Sequence, residues 1–191
     1  MSPARPTDPR RLDVAAFALA AGRLTGDWPL AELSRLLQDA LPVGKDGSAQ
    51  SVCWSATGER RAASAGDDQI RLHLHASTAL QLTCQRCLQP MTVHLDVQPT
   101  FRFVHGEDQA QALDEDSDED VLALVPWLDL LALVEDELIL ALPLIPRHDK
   151  CPLPLPMSDA SAGLAADGPQ AHPFAALAAL RRSDKAGGKP N

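Results

Sequence analysis

The chain contains no tyrosine, and aromatic residues make up only 4% of it. Proteins that read unpaired bases stack them on aromatic rings, so this scarcity argues against an aromatic base-binding platform. Basic residues are outnumbered 17 to 26, and the formal net charge is −9. A surface given over wholesale to phosphate contacts does not fit that balance. No apolar run reaches the length of a bilayer; Val14–Ala21 comes nearest and is far too short. There is no Gly-rich phosphate loop, no nucleophile elbow and no Ser/His/Asp set at useful spacing, so enzymatic chemistry has no anchor. Four cysteines without a signal-peptide pattern read as cytosolic thiols or metal ligands rather than a disulfide framework. The expectation is a soluble, cytoplasmic, non-enzymatic protein with no membrane and no small-molecule substrate among its partners.

What is present begins with charge. Residues 98–150 carry three basic and thirteen acidic side chains, whereas the stretches before and after are close to neutral. The acidity therefore belongs to one segment, and a basic protein partner suits such a field. At 191 residues there is room for one ordinary domain with tails, and sixteen prolines point to irregular connections and ends.

The best-defined element runs from Asp129 to Pro143. Asp129 can accept from the orphan amides of a first helical turn. Leu130, Leu131, Val134, Leu138, Ala141 and Leu142 recur at helical spacing, and Pro143 stops the helix because it has no amide to donate. Glu135, Asp136 and Glu137 fall on the side expected to meet water. Consecutive helical residues point in different directions, so these three do not form a shared acid/base site, though one of them can pair with an arginine.

Upstream, Leu12–Ala21 fits a short helix or a sheet-edge segment, and Gly22 to Gly26 reads as a turn. Asp27 and Pro29 signal a helix over 29–41 with Leu30, Leu33, Leu36, Leu37 and Leu41 on its apolar face. Ser51–Thr57, Gln69–Ser77, Ala79–Cys84, Met91–Val97, the stretch opened by Phe101 and Phe103, and Val121–Val125 alternate or run apolar as strands do. Gly106–Asp120 lacks any basic residue and reads as a solvated acidic loop that can serve as a docking surface. After Cys151 a Pro- and Ala-rich linker leads to a short amphipathic segment, His172 to Arg182, with Phe174, Leu177 and Leu180 on one side.

Cys84-x-x-Cys87 lies between two strands, hence on a hairpin tip. His148-x-x-Cys151 follows the best-defined helix. Together they offer four ligands of the types zinc prefers. The plainer alternative buries Cys84 and Cys151 and leaves Cys87 and His148 partly exposed. A redox role for the Cys pair lacks the surrounding βαβ pattern. Cys53 reads as a buried strand residue. His73 and His75 share a strand face with Arg71 and have no third ligand nearby, which favours a half-exposed polar face.

At Leu82-Thr-Cys-Gln-Arg-Cys-Leu-Gln-Pro90 the chain resembles the bacterial YceD family, the large ribosomal RNA subunit accumulation proteins. The likeness continues through Asp129-Leu-Leu-Ala-Leu-Val-Glu-Asp-Glu-Leu-Ile-Leu-Ala-Leu-Pro-Leu-Ile-Pro-Arg-His148 and closes at Pro173-Phe-Ala-Ala-Leu-Ala-Ala-Leu-Arg181, as in the proteobacterial branch. Cys84, Arg86 and Cys87 match its Cys-x-Arg-Cys; Glu135, Asp136 and Glu137 match its Val-Glu-Asp-Glu; Pro143, Pro146, His148 and Cys151 match its closing block. Other branches close with two or more cysteines, where this chain has only Cys151. The resemblance implies a non-enzymatic role in synthesis, processing or stability of 23S ribosomal RNA.

The combined expectation is an α+β fold with a single YceD-like domain over 25–151. It has an antiparallel sheet, flat or curled, with a packed helix and an N-terminal helix. Residues 1–24 form a flexible or partly ordered lead, and 152–191 a linker with a short amphipathic helix and tail. Expected partners are a basic ribosomal or assembly protein, the 23S precursor RNA, or both. Candidate binding residues are Arg86, Asp114, Glu115, Asp116, Asp118, Glu119, Asp120, Glu135, Asp136 and Glu137; Zn2+ is the candidate cofactor at Cys84, Cys87, His148 and Cys151. The rival expectation is a zinc-dependent protein-interaction module that does not act on ribosomal RNA.

Overall fold

A computed structural model describes residues 7–42, 50–62, 68–115, 117 and 119–152. Among the described residues three α-helices, α1 (Val14–Leu19), α2 (Glu107–Asp114) and α3 (Leu130–Leu140), accompany six strands. The strands are β1 (Arg23–Pro29), β2 (Ser51–Arg61), β3 (Gln69–Thr83), β4 (Pro90–Val97), β5 (Thr100–Val104) and β6 (Asp120–Ala123). The α+β class expected from the sequence is what forms, with one open and mostly antiparallel sheet.

β3 is the spine. One of its edges pairs with β2 over Gln69–Ser77, and the other takes β5 and β4 end to end. The register runs unbroken from Thr83↔Pro90 through Ala76↔Val97 to His73↔Thr100 and Ile70↔Phe103. β4 and β5 are thus one strand interrupted at Gln98 and Pro99, because proline has no amide for the ladder. The Leu74 amide donates to the Pro99 carbonyl and bridges the gap. β6 adds in parallel to β5 after the α2 crossover, the one parallel pair among the described strands.

Alternation decides the faces. Val52, Trp54, Ala56, Leu72, Leu74, Ala76, Leu80, Leu82, Phe101 and Phe103 point to one side, where they form a single core with residues of α1 and α3. Trp28 and Trp54 stack there with ring centroids 4.3 Å apart. On the opposite side Val104, Ala110 and Val121 form a small second cluster beneath α2. The rest of that side is polar. His73 binds Thr100 and Glu59, and His75 binds Asp96. This is the half-exposed polar face expected of the two histidines, each engaged with its own carboxylate.

Several local expectations give way. The 29–41 helix is replaced by two 3-10 turns, Leu30–Glu32 and Leu36–Gln38. Leu30, Leu33 and Leu36 recur every three residues, which is the 3-10 period, and all three are buried. The N-terminal helix forms earlier, at Val14–Leu19, capped by the Asp13 carboxylate. Gly22 to Gly26 is largely strand rather than turn. Gly26 is needed for close approach, since a Cβ there would lie 3.0 Å from the Trp54 ring. Cys53 is exposed, because Val52 and Trp54 take the inward positions on either side of it. The acidic stretch is not all loop: α2 forms within it. Glu107 and Asp108 in its first turn complement the helix dipole, and Ala110 and Leu113 supply an apolar face.

Candidate metal centre

β3 keeps its alternation to the end, so Leu80, Leu82 and Cys84 all point inward and Cys84 is fully buried. The chain then turns tightly. Leu88 N–H donates to the Cys84 carbonyl at 2.9 Å, and Cys84 N–H to the Gln89 carbonyl at 3.0 Å. The turn holds Leu88 at φ +58°, a left-handed conformation that costs a branched residue about 1 kcal/mol. Across from this tip, α3 starts where Asp129 accepts from the Leu131 and Ala132 amides, and it ends at Ala141 before Pro143. The segment beyond it meets the tip when Gln85 N–H donates to the Pro146 carbonyl at 2.8 Å.

That contact brings the two predicted ligand pairs together. The Sγ atoms of Cys84, Cys87 and Cys151 and a ring nitrogen of His148 all lie within 4.8 Å of one another. Cys87 Sγ is 3.4 Å from His148 Nδ1, and His148 N–H donates to Cys84 Sγ at 3.4 Å. A tetrahedral zinc site with these ligands has edges of about 3.5–3.8 Å, so the cluster is already near the required size. Burial alone would push the Cys84 thiol up. The amides of His148, Cys87 and Arg86 and the Cys87 thiol overcome it and bring Cys84 down to about 5. A thiolate is the form that binds metal. The Cys151 thiol is pushed the other way, by burial first and then by Cys87 and Cys84, with Arg86 opposing. Simple core packing of Cys151 does not describe the site, because it is only half-buried. Three thiols and an imidazole with amide-to-sulfur bonds form a donor set that fits zinc.

The acidic residues fall elsewhere. Asp114, at the end of α2, accepts from the Val121 amide at 2.9 Å and ties the helix to β6. Glu115 is exposed, and Glu119 pairs with Arg71 at 3.1 Å. Asp116 and Asp118 lie outside the described residues, as do the segment His172–Arg182 and its arginines. Asp120 opens β6. On α3 the expected solvated face fails at Glu135, which is 7% exposed. Its carboxylate accepts from the amides of Arg35 (2.7 Å) and Leu36 (3.2 Å) and from Arg35 Nε (2.9 Å). It therefore caps the second 3-10 turn from across the chain. Asp136 takes the same guanidinium at 2.5 Å. The arginine partner foreseen for this trio is Arg35, the lone cation among the leucines of 30–41, which was the available signal. Glu137 is half-buried, and its carboxyl is raised by desolvation and then by Asp120 and Asp136. Asp120 and Asp136 thus lie near enough for their charges to act on Glu137.

Beside the metal centre lies an open groove of about 500 Å³ lined by Leu82, Gln85, Ile139, Leu142, Pro143 and Pro146 among others. Neither Glu135 nor His148 lines it, so it gathers no acid/base pair around itself. No helix among the described residues is long and apolar enough to cross a membrane.

An open α+β sheet whose hairpin tip and post-α3 segment together gather a Cys3His cluster is an α+β protein with a candidate metal centre at one end. The family described as large ribosomal RNA subunit accumulation protein YceD matches residues 72–181, a span that takes in most of the spine, the cluster and α3, and the chain belongs to that family. It is 42% identical over 69 residues to the large ribosomal RNA subunit accumulation protein YceD of Haemophilus influenzae, covering 36% of this chain and 40% of that protein. The match thus spans less than half of that relative's length. No solved structure matches the chain. The family is named for accumulation of ribosomal RNA rather than for a catalysed reaction.

Proposed function

We propose that this protein is a non-enzymatic factor for synthesis, processing or stability of 23S ribosomal RNA in large-subunit biogenesis, acting by holding a basic ribosomal or assembly protein. Family membership over residues 72–181 carries the reading. The β6 edge supplies the chemistry, because burial raises the Glu137 carboxyl and the charges of Asp120 and Asp136 raise it further. A Lys or Arg side chain from a partner relieves that repulsion, which favours binding and speeds encounter. Glu135 is spent inside the fold and leaves the docking set. Glu115 and Asp120 remain exposed and continue the edge.

Zinc at Cys84, Cys87, His148 and Cys151 would fasten the hairpin tip to the segment after α3. It would close chain stretches of 61 and 64 residues, and the metal itself would supply structural cross-linking. The same four residues support the second reading, an interaction module that works without ribosomal RNA.

Deleting the gene and profiling ribosomal particles tests the first reading, with complementation by wild type and by Asp120→Asn/Asp136→Asn/Glu137→Gln. Loss of large subunits that wild type restores and the edge variant does not is expected. Normal 23S levels in the null strain would sink it. If the null strain is normal and purified protein still carries one zinc that Cys84→Ala removes, the module reading takes its place.

A further inference from the structure

The protein is acidic, yet the tip that carries the candidate metal ligands is not. Arg86 immediately precedes Cys87, Arg147 precedes His148, and Lys150 precedes Cys151. Each of the three cations is exposed, and none has an ion-pair partner among the described residues. Asp149 is the one acidic residue in these two segments. Because every cation is the chain neighbour of a ligand, the geometry that gathers the four ligands within 4.8 Å also gathers the cations, from two segments about sixty residues apart. Arg86 lies close enough to Cys151 for its charge to act on that thiol.

We infer that this tip is a phosphate-backbone contact for single-stranded RNA, made by Arg86, Arg147 and Lys150 and assembled by the Cys84–Cys87–His148–Cys151 centre. The inference rests on the ribosomal-RNA reading for its choice of polyanion. Aromatic rings are missing from the tip, so bases have nothing to stack on, and the contact reads charge rather than sequence. Leu88, 70% exposed on its left-handed backbone, and Leu144 and Ile145 offer apolar surface beside the cations, against which sugar edges can rest. Of the edge carboxylates, Asp120 stands at the Leu72 end of β3, whereas Glu137 is two residues before Ile139, which lines the groove beside the tip. Among the described residues none of them pairs with Arg86, Arg147 or Lys150.

The test is a salt titration of the full zinc-loaded chain with a mixed-sequence single-stranded RNA oligonucleotide. Neutralising all three cations (Arg86→Gln/Arg147→Gln/Lys150→Gln) should weaken binding at low salt at least tenfold. It should also flatten the slope of log affinity against log salt by about 2, since each phosphate contact on a single strand contributes ~0.7. Metal content, measured in parallel, should stay at one zinc. A conservative Arg86→Lys/Arg147→Lys variant should keep the slope, which separates phosphate contact from a folding role. Unchanged affinity and slope in the triple variant with zinc retained would overturn the inference, and so would equal competition by a poly-glutamate peptide, which would mark an acidic protein as the ligand. The edge variant Asp120→Asn/Asp136→Asn/Glu137→Gln is the separating arm. If it loses function in cells while RNA binding is absent from every form, the tip inference fails and the edge reading stands.

Discussion

At the hairpin tip three cations sit beside four ligands of the kinds zinc takes; at the β6 edge Asp120 and Asp136 act on Glu137, and Arg35 pairs with Asp136. The difference lies in how each group of like charges is held together. At the tip the backbone supplies one tight turn and the Gln85–Pro146 bond, and a metal on the four ligands would fix the rest. At the edge the carboxylates ride on α3 and β6, whose positions are set by core packing and by the buried Glu135. The tip is local and open to metal control, while the edge is a by-product of the core. Like charges can be concentrated by either route, but only the first can be undone without unfolding the protein.

The largest effect should come from Glu135→Ala. It removes the buried acceptor for two backbone amides and for Arg35 Nε, leaving Arg35 only Asp136, at a cost of about 2–4 kcal/mol in urea unfolding. A change below 0.5 kcal/mol, roughly the scatter of neutral surface substitutions, would mean the edge does not depend on this cap. Next in size, removing zinc with a chelator, or placing Cys84→Ser, should speed amide exchange at Gln85 and Leu88 by on the order of a hundredfold. The amides of β5 and β6 should keep their protection. Equal acceleration at both ends would erase the distinction between a metal-held tip and a core-held edge.

The smallest effect concerns Glu137. Its folded-state carboxyl is raised, so the fold favours its protonated form. Wild type therefore forfeits stability as pH climbs through the unfolded carboxylate range toward the raised folded value. Glu137→Gln should lift Tm at pH 7 by about 1–2 °C, and the gain should vanish near pH 3, below the unfolded carboxylate range. The same change should weaken binding of a cationic partner. A Tm gain that persists undiminished at pH 3 would show that packing, not charge, is responsible.

Much of this was legible residue by residue. Asp129 and Pro143 bracket α3 in the sequence as they do in the structure, and the alternation of β3 to β5 announces itself. The two ligand pairs could be proposed from spacing. Their meeting could not, because it depends on a bond between Gln85 and Pro146 across the sheet. Glu135 was hidden for the same reason: its partners lie about a hundred residues upstream, and a helical wheel counts a carboxylate as surface. The leucines of 30–41 misled because spacings of three and four serve both helix types. Cys53 misled because apolar character outranked parity.

A fifteen-residue strand with no break of its own runs from the end of the sheet where Asp120 lies to the cationic tip. It acts as a gauge of fixed length. Anything that grips both ends at once has to present anionic and cationic surface a matching distance apart, which a nucleoprotein particle does and neither naked RNA nor a lone protein of uniform charge does.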